Sequence, residues 1–291
     1  MWIVSFWVFP VISACMWLAM LIAMISTWAV KGKPHYSNMP ASRTIPYISD
    51  IGATGIQPLF IAGSAVTVVF LDLSFLAERW LRHSGQLVRN KGRFDKACSI
   101  ISIIFSFLGA AGLILLSIFN DVDYRRVHDS MLGLFIGAYL ISAIFICLEY
   151  LRLGVTYRRQ HRVLFLSFWI KFLFIVIELG LAIGFGVLNQ RNRGATNAAA
   201  VLEWVIALVF TFYVLSFIID LLPSVRTRRH IPQGEKAMHI GRPSTSSGRH
   251  QHEVTYEEPV TTDSMGDRGN TYRGQVVNGH PTNGTYLPRD F

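Results

Sequence analysis

Six long apolar blocks, at residues 3–30, 57–80, 97–119, 127–151, 163–188 and 198–222, constrain this chain more than any other feature. Each is long enough to cross a hydrocarbon core about 30 Å thick, which takes roughly 17 to 25 apolar residues in a helix. The bilayer core offers backbone groups no water, so only helices or closed barrels span it. Barrel strands alternate polar and apolar residues, and these blocks do not. The sequence therefore predicts an all-α fold: a polytopic membrane bundle of six transmembrane helices over residues 1–222, followed by a disordered cytoplasmic tail over 223–291. Hydrophobic residues make up 52% of the chain and charged ones 15%, with a mean hydropathy of +0.39, and the excess is concentrated in the six blocks. The first block has no basic leader and exceeds the roughly 7 to 15 residues of a signal core. It reads as a retained span.

Lys and Arg in short loops stay on the cytoplasmic side. One side carries thirteen of them, at positions 79, 82, 89, 91, 93, 96, 152, 158, 159, 162, 226, 228 and 229, against seven on the other. Both termini are thereby predicted to be cytoplasmic. The sequon Asn283-Gly284-Thr285 then stays unglycosylated, and an endoglycosidase-sensitive mobility would reverse the orientation. From Pro223 onward Ser, Thr, Gly, Pro and mixed charges dominate without a sustained apolar period. Such a segment cannot bury enough surface to offset its ordering entropy. Its stretch from Arg242 to Ser247 is a candidate for phosphorylation.

Gly133 and Gly137 in the fourth block, Gly180 and Gly184 in the fifth, and Gly109 to Gly112 in the third form small-residue steps that let helix backbones approach. They are expected to specify packing. Cys15, Cys98 and Cys147 lie in or beside apolar blocks and are expected to be buried packing residues, with no disulfide framework.

Ionisable groups inside spans are costly and normally face the interior of a bundle. Asp72 and Lys171 each lie eight residues from the cytoplasmic end of their block, roughly 12 Å deep at 1.5 Å per residue, so they are expected to pair. Glu178 follows Lys171 by two helical turns and shares its face. This intramembrane polar face is either an ion pair holding helices together, or a polar path or headgroup site. On the lumenal side Asp50, Asp121, Asp123, His128, Asp129 and Glu203 carry the chemistry a hydrolytic metal site would need, but no ligand set with metal-binding spacing accompanies them. Asp129, in the first turn of the fourth span, also favours the positive end of that helix. No cofactor is implied. The cluster Arg158, Arg159 and Arg162 at a membrane end is a candidate contact for anionic inner-leaflet lipids. The net charge of +9 comes without a stacking platform or soluble nucleic-acid-binding fold, so no nucleic-acid partner is expected.

Three stretches, Pro46-Tyr47-Ile48-Ser49-Asp50-Ile51-Gly52-Ala53, Tyr124-Arg125-Arg126-Val127-His128-Asp129 and Cys147-Leu148-Glu149-Tyr150, resemble the DRAM/FRAG/Sfk family, which shares its architecture with the N-terminal domain of CWH-type proteins. Physically, the first stretch suits an ordered lumenal entry loop: Pro46 enforces an extended approach, Asp50 caps or turns the chain, and Gly52 permits tight geometry. The resemblance implies six spans with cytoplasmic termini and carries no catalytic residues over. Family members include autophagy modulators of lysosomal membranes, proteins of GPI-lipid maturation, and fungal Sfk-like proteins of the plasma membrane. The last are associated with phosphatidylinositol 4-kinase machinery and with phospholipid asymmetry. The long polar tail is most similar to theirs. The expected role is thus a non-enzymatic, plasma-membrane regulator of phospholipid or phosphoinositide organisation. Alternatives are an enzyme or subunit in GPI-lipid remodelling, or a vacuolar or endolysosomal autophagy modulator.

Overall fold

A computed structural model describes residues 5–88, 92–157, 162–191, 197–222, 224, 271–277 and 280–287. The helices are α1 (Val8–Val30), α2 (Ile48–Gly52), α3 (Gln57–His83), α4 (Arg93–Ile118), α5 (Arg125–Thr156), α6 (Arg162–Arg191) and α7 (Asn197–Leu221). All but the short α2 are long and apolar enough to cross a membrane, and the chain crosses it six times. The helices outrun several of the apolar blocks: α4 begins four residues early at Arg93, and α5 runs five residues on to Thr156. Once hydrogen bonding has started, adding a turn past the hydrocarbon edge costs little.

Each span packs against its neighbour in the chain, and α7 returns to α1, so the six close into a ring. At one end α1, α4 and α6 begin and α3, α5 and α7 end; the basic loops emerge here. The opposite end carries α2. Proline in the first turn of α3 suits a position whose amide has no helical partner. At the end of α1, Gly32 takes φ +78°, and the amides of Gly32 and Lys33 close back on the carbonyls of Ala29 and Trp28 at 3.1 Å each. A left-handed residue of this kind satisfies carbonyls that the helix leaves open.

The core runs along the ring's inside through Trp17, Met24, Leu71, Leu113, Tyr150, Val214 and Phe217. Close packing in the ring centres on α4. A Cβ on Gly109 would stand 2.5 Å from Cδ2 of Tyr139, and one on Gly112 2.7 Å from the backbone nitrogen of Phe135. The expectation that Gly133, Gly137, Gly180 and Gly184 serve the same purpose needs correction. An added Cβ at the first three meets no atom within 4 Å, and at Gly184 only Leu202 at 3.5 Å. The small-residue spacing is identical in both cases, but these glycines do not face a neighbouring backbone. Close approach of α5 and α6 occurs instead at Gly154, beside the backbone of Phe165. Cys98 and Cys147 are buried, whereas Cys15 is exposed.

Most of the predicted tail, with the Arg242 to Ser247 stretch, lies outside the described residues. Within it an antiparallel ribbon pairs β1 (Thr271–Val277) with β2 (His280–Leu287), a feature the tail's composition did not suggest. The strands are joined in sequence by Asn278-Gly279, the dipeptide that most favours a two-residue hairpin connection. The sequon falls in β2.

Candidate functional site

At the basic end the ring's interior is filled by charged groups that satisfy one another. Glu149 on α5 takes both forks of the Arg79 guanidinium on α3. One turn on, Arg82 donates through Nε and Nη2 to Oε1 of Glu78 at 3.0 and 2.8 Å and through Nη1 to the carbonyl of Val88 at 3.1 Å. The hydroxyl of Tyr150 donates to the same Glu78 oxygen at 2.6 Å. Across the ring Lys171 on α6 contacts Asp220 on α7 and donates to Ser167 Oγ at 3.0 Å. Its Nζ lies 4.2 Å from the ring centre of Phe217 and 4.9 Å from that of Tyr150. Tyr150, fully buried, thus joins the two groups, its hydroxyl bound to one and its ring beneath the cation of the other. Paired and hydrogen-bonded charges are the form in which ions survive burial.

The expected Asp72–Lys171 pair does not form. Asp72 accepts a hydrogen bond from Ser106 on α4, and Lys171 is held by Asp220. The two have similar depth, but α3 and α6 are not neighbours in the ring. Depth was readable from sequence and angular position was not. Asp220 sits two residues inside the end of the last block and Glu78 two inside the end of the second, too near the membrane edge for hydropathy to mark them, and Glu149 enters the sequence reading only through the Cys147-Leu148-Glu149-Tyr150 stretch. The Glu78–Arg82 spacing of four residues was the available signal.

Toward the other end the ring's interior opens into a cavity of about 120 Å³. Glu178 lines it with Tyr139 and Phe174, and Ile48, Ser49 and Glu203 border it where α2 lies. Oε1 of Glu178 is buried without a hydrogen-bond partner, and the Tyr139 hydroxyl is buried beside Ser106, whose own proton goes to Asp72.

The segment before α3 forms a cap at this end. Asp50 accepts from Arg43 Nη2 at 2.6 Å, Asn38 Nδ2 at 2.8 Å and the Tyr47 amide at 2.7 Å, the last closing the first turn of α2. Burial raises the Asp50 carboxyl above its ordinary value, against the lowering pull of the Tyr47 amide and of Arg43. Arg43 also lies over the Tyr47 ring at 3.9 Å. The first turns of α7 fasten the cap: Glu203 accepts from the Ile48 amide at 3.0 Å, Trp204 Nε1 donates to the Pro46 carbonyl at 3.0 Å, and Asn197 Oδ1 accepts from the amides of Thr44 and Ile45. Gly52 leaves room for Phe60, since a Cβ there would stand 2.7 Å from its ring.

The other predicted site residues do not assemble. His128 Nδ1 lies 3.0 and 2.8 Å from the carbonyls of Leu116 and Phe119. Carbonyls only accept, so this nitrogen carries the proton and caps the end of α4. Because α5 starts at Arg125, Asp129 sits in its second turn, not the first, and is exposed. Among the described residues no three His, Cys, Asp or Glu side chains are placed to hold a metal. Arg158 and Arg159 lie outside the described residues, and of Arg162 only the backbone, at the start of α6, is described.

Residues 5–224 match the family profile Frag1/DRAM/Sfk1/Cwh43P N-terminal domain. The chain is similar to Protein sfk1 of Schizosaccharomyces pombe, 30% identical over 224 residues, which is 77% of this chain and 66% of that protein. It is also similar to Protein SFK1 of Saccharomyces cerevisiae, 29% identical over 186 residues, 53% of this chain and 52% of that protein. The alignments thus span less than two thirds of these relatives. No solved structure matches.

Proposed function

This chain belongs to the Frag1/DRAM/Sfk1/Cwh43P N-terminal domain family, and on that footing we propose that it is a non-enzymatic regulator of phospholipid and phosphoinositide organisation in the membrane it spans. The observation that carries this reading is the commitment of the interior charges to one another. Arg79–Glu149 and Lys171–Asp220 hold helices together, the Arg82–Glu78 pair within α3 is tied to α5 by Tyr150, and His128 and Asp50, which an enzyme of the capped end would enlist, close a helix end and a loop. The bundle meets its surroundings through lipid-facing helices and basic loops.

The charge asymmetry supports cytoplasmic termini, and the similarity to the fungal proteins supports residence in the plasma membrane. In that orientation Arg158, Arg159 and Arg162 meet anionic inner-leaflet lipids, at about 1 kcal/mol per charge, and offer a surface to phosphatidylinositol 4-kinase machinery. Reporters of phosphatidylinositol 4-phosphate and phosphatidylserine, imaged in cells lacking the protein, test the role. Redistribution of either reporter is expected. Unchanged reporters together with a vacuolar location of the tagged protein would overturn it in favour of an autophagy modulator.

A further inference from the structure

We propose that the cavity binds the hydroxyl-bearing end of a membrane-soluble alcohol, which enters sideways from the hydrocarbon between α5 and α6. Three observations lead there, the first being size. About 120 Å³ is close to the roughly 150 Å³ of apolar space that holds a benzene-sized guest. It admits one end of a lipid-like molecule and leaves the rest outside.

The second is the state of the walls. Trp17, Phe60, Leu113 and Leu116, contributed by α1, α3 and α4, are buried. Leu132, Ile136 and Leu140 on α5, and Phe174 and Ala182 on α6, line the same space but are only half-buried. Glu203 and Ile206 on α7 are half-buried too, but Glu203 holds the Ile48 amide and Ile206 packs on the cluster of Tyr47 and Phe185, so the opening lies on the α5–α6 side, where Gly133, Gly137 and Gly180 also meet no neighbouring atom. The other routes are blocked, by α2 and its tethers at one end and by Lys171, Tyr150 and Asp220 at the other. What borders a mid-helix opening in a span is lipid, so the guest comes from the bilayer.

The third is a pair of buried polar atoms in the walls. Glu178 Oε1 faces a mainly apolar space without a partner, and the Tyr139 hydroxyl in the same lining has only Ser106 near it, whose proton goes to Asp72; a buried polar group left unmatched is destabilising. A hydrocarbon guest would leave Glu178 Oε1 unpaired. A charged headgroup would lose its hydration against walls with nothing to replace it. An alcohol fits between these limits, because its hydroxyl both donates and accepts on an apolar body.

The test uses the full chain purified in nanodiscs and a diazirine-bearing long-chain alcohol. Photolabel is expected on residues 132–143 and 174–185. An unlabelled alcohol is expected to compete about three- to tenfold better than the methyl ether of the same chain, the worth of one hydrogen bond. The variant Glu178→Leu should lose that preference while keeping its melting temperature, since the oxygen it removes from the buried wall has no partner, and Tyr139→Phe, which also gives up the contact with Ser106, should weaken the preference as well. Equal competition by alcohol and ether on the unmodified protein, or label confined to the outer helix faces, would overturn the proposal without any variant. Occupancy is read on purified protein, so this result stands or falls separately from the cellular lipid reporters.

Discussion

Lys171 and Asp220 meet inside the bundle, the ammonium of α6 against the carboxylate of α7, with both side chains almost wholly shielded. The lysine also rests on the rings of Phe217 and Tyr150. One contact thus ties α6 and α7 to α5, whose Tyr150 is in turn bonded to Glu78 on α3.

Removing one member of such a pair leaves an uncompensated buried charge, at a cost of about 3–5 kcal/mol. Lys171→Met and Asp220→Leu should each lower the melting temperature sharply in a size-exclusion thermal assay. The double variant should recover most of the loss, because apolar residues of similar volume replace a buried pair at little cost. Charge reversal at Asp72 and Lys171 together should rescue neither single reversal, since Asp72 is bonded to Ser106.

Glycines in α4 and in α5 and α6 should respond oppositely to the same change. Gly112→Ala places a Cβ 2.7 Å from backbone, an overpacking that costs about 1–3 kcal/mol. Gly133→Ala and Gly180→Ala meet no atom and should be neutral, or stabilising by up to about 1 kcal/mol through helix propensity. Melting temperatures of the three variants, measured side by side, decide this.

His128→Ala should cost about 1–3 kcal/mol by freeing two carbonyls at the end of α4. In cells, lipid-reporter behaviour should then track the amount of folded protein. A well-folded, normally abundant His128→Ala protein with no residual function would instead point to a catalytic histidine.

Asn197→Ala removes the acceptor shared by the Thr44 and Ile45 amides and should loosen the cap locally. Limited proteolysis should cut residues 33–47 faster, with global melting little changed. Arg43→Ala, which strands the buried Asp50 carboxylate, should do more, lowering global stability by about 3–5 kcal/mol.

Hydropathy alone determined the six spans, and the helix ends fall within a few residues of the block ends because hydrocarbon admits no other hydrogen-bonding solution for a backbone. In the Pro46 to Ala53 stretch the roles of Asp50 and Gly52 were visible in the local chemistry, but residues expected as a loop wind into the short helix α2. Which side chains meet was a different matter. Sequence gives the depth of Asp72 and Lys171 but not the order of helices around the ring, and it is that order which handed Lys171 to Asp220 and Asp72 to Ser106. The same ambiguity concealed why Gly112 is crowded and Gly133 is not. The cavity beside Glu178 was beyond any linear reading, since a void belongs to no residue. It exists only where six helices, each specified by its own apolar run, fail to fill the space they enclose.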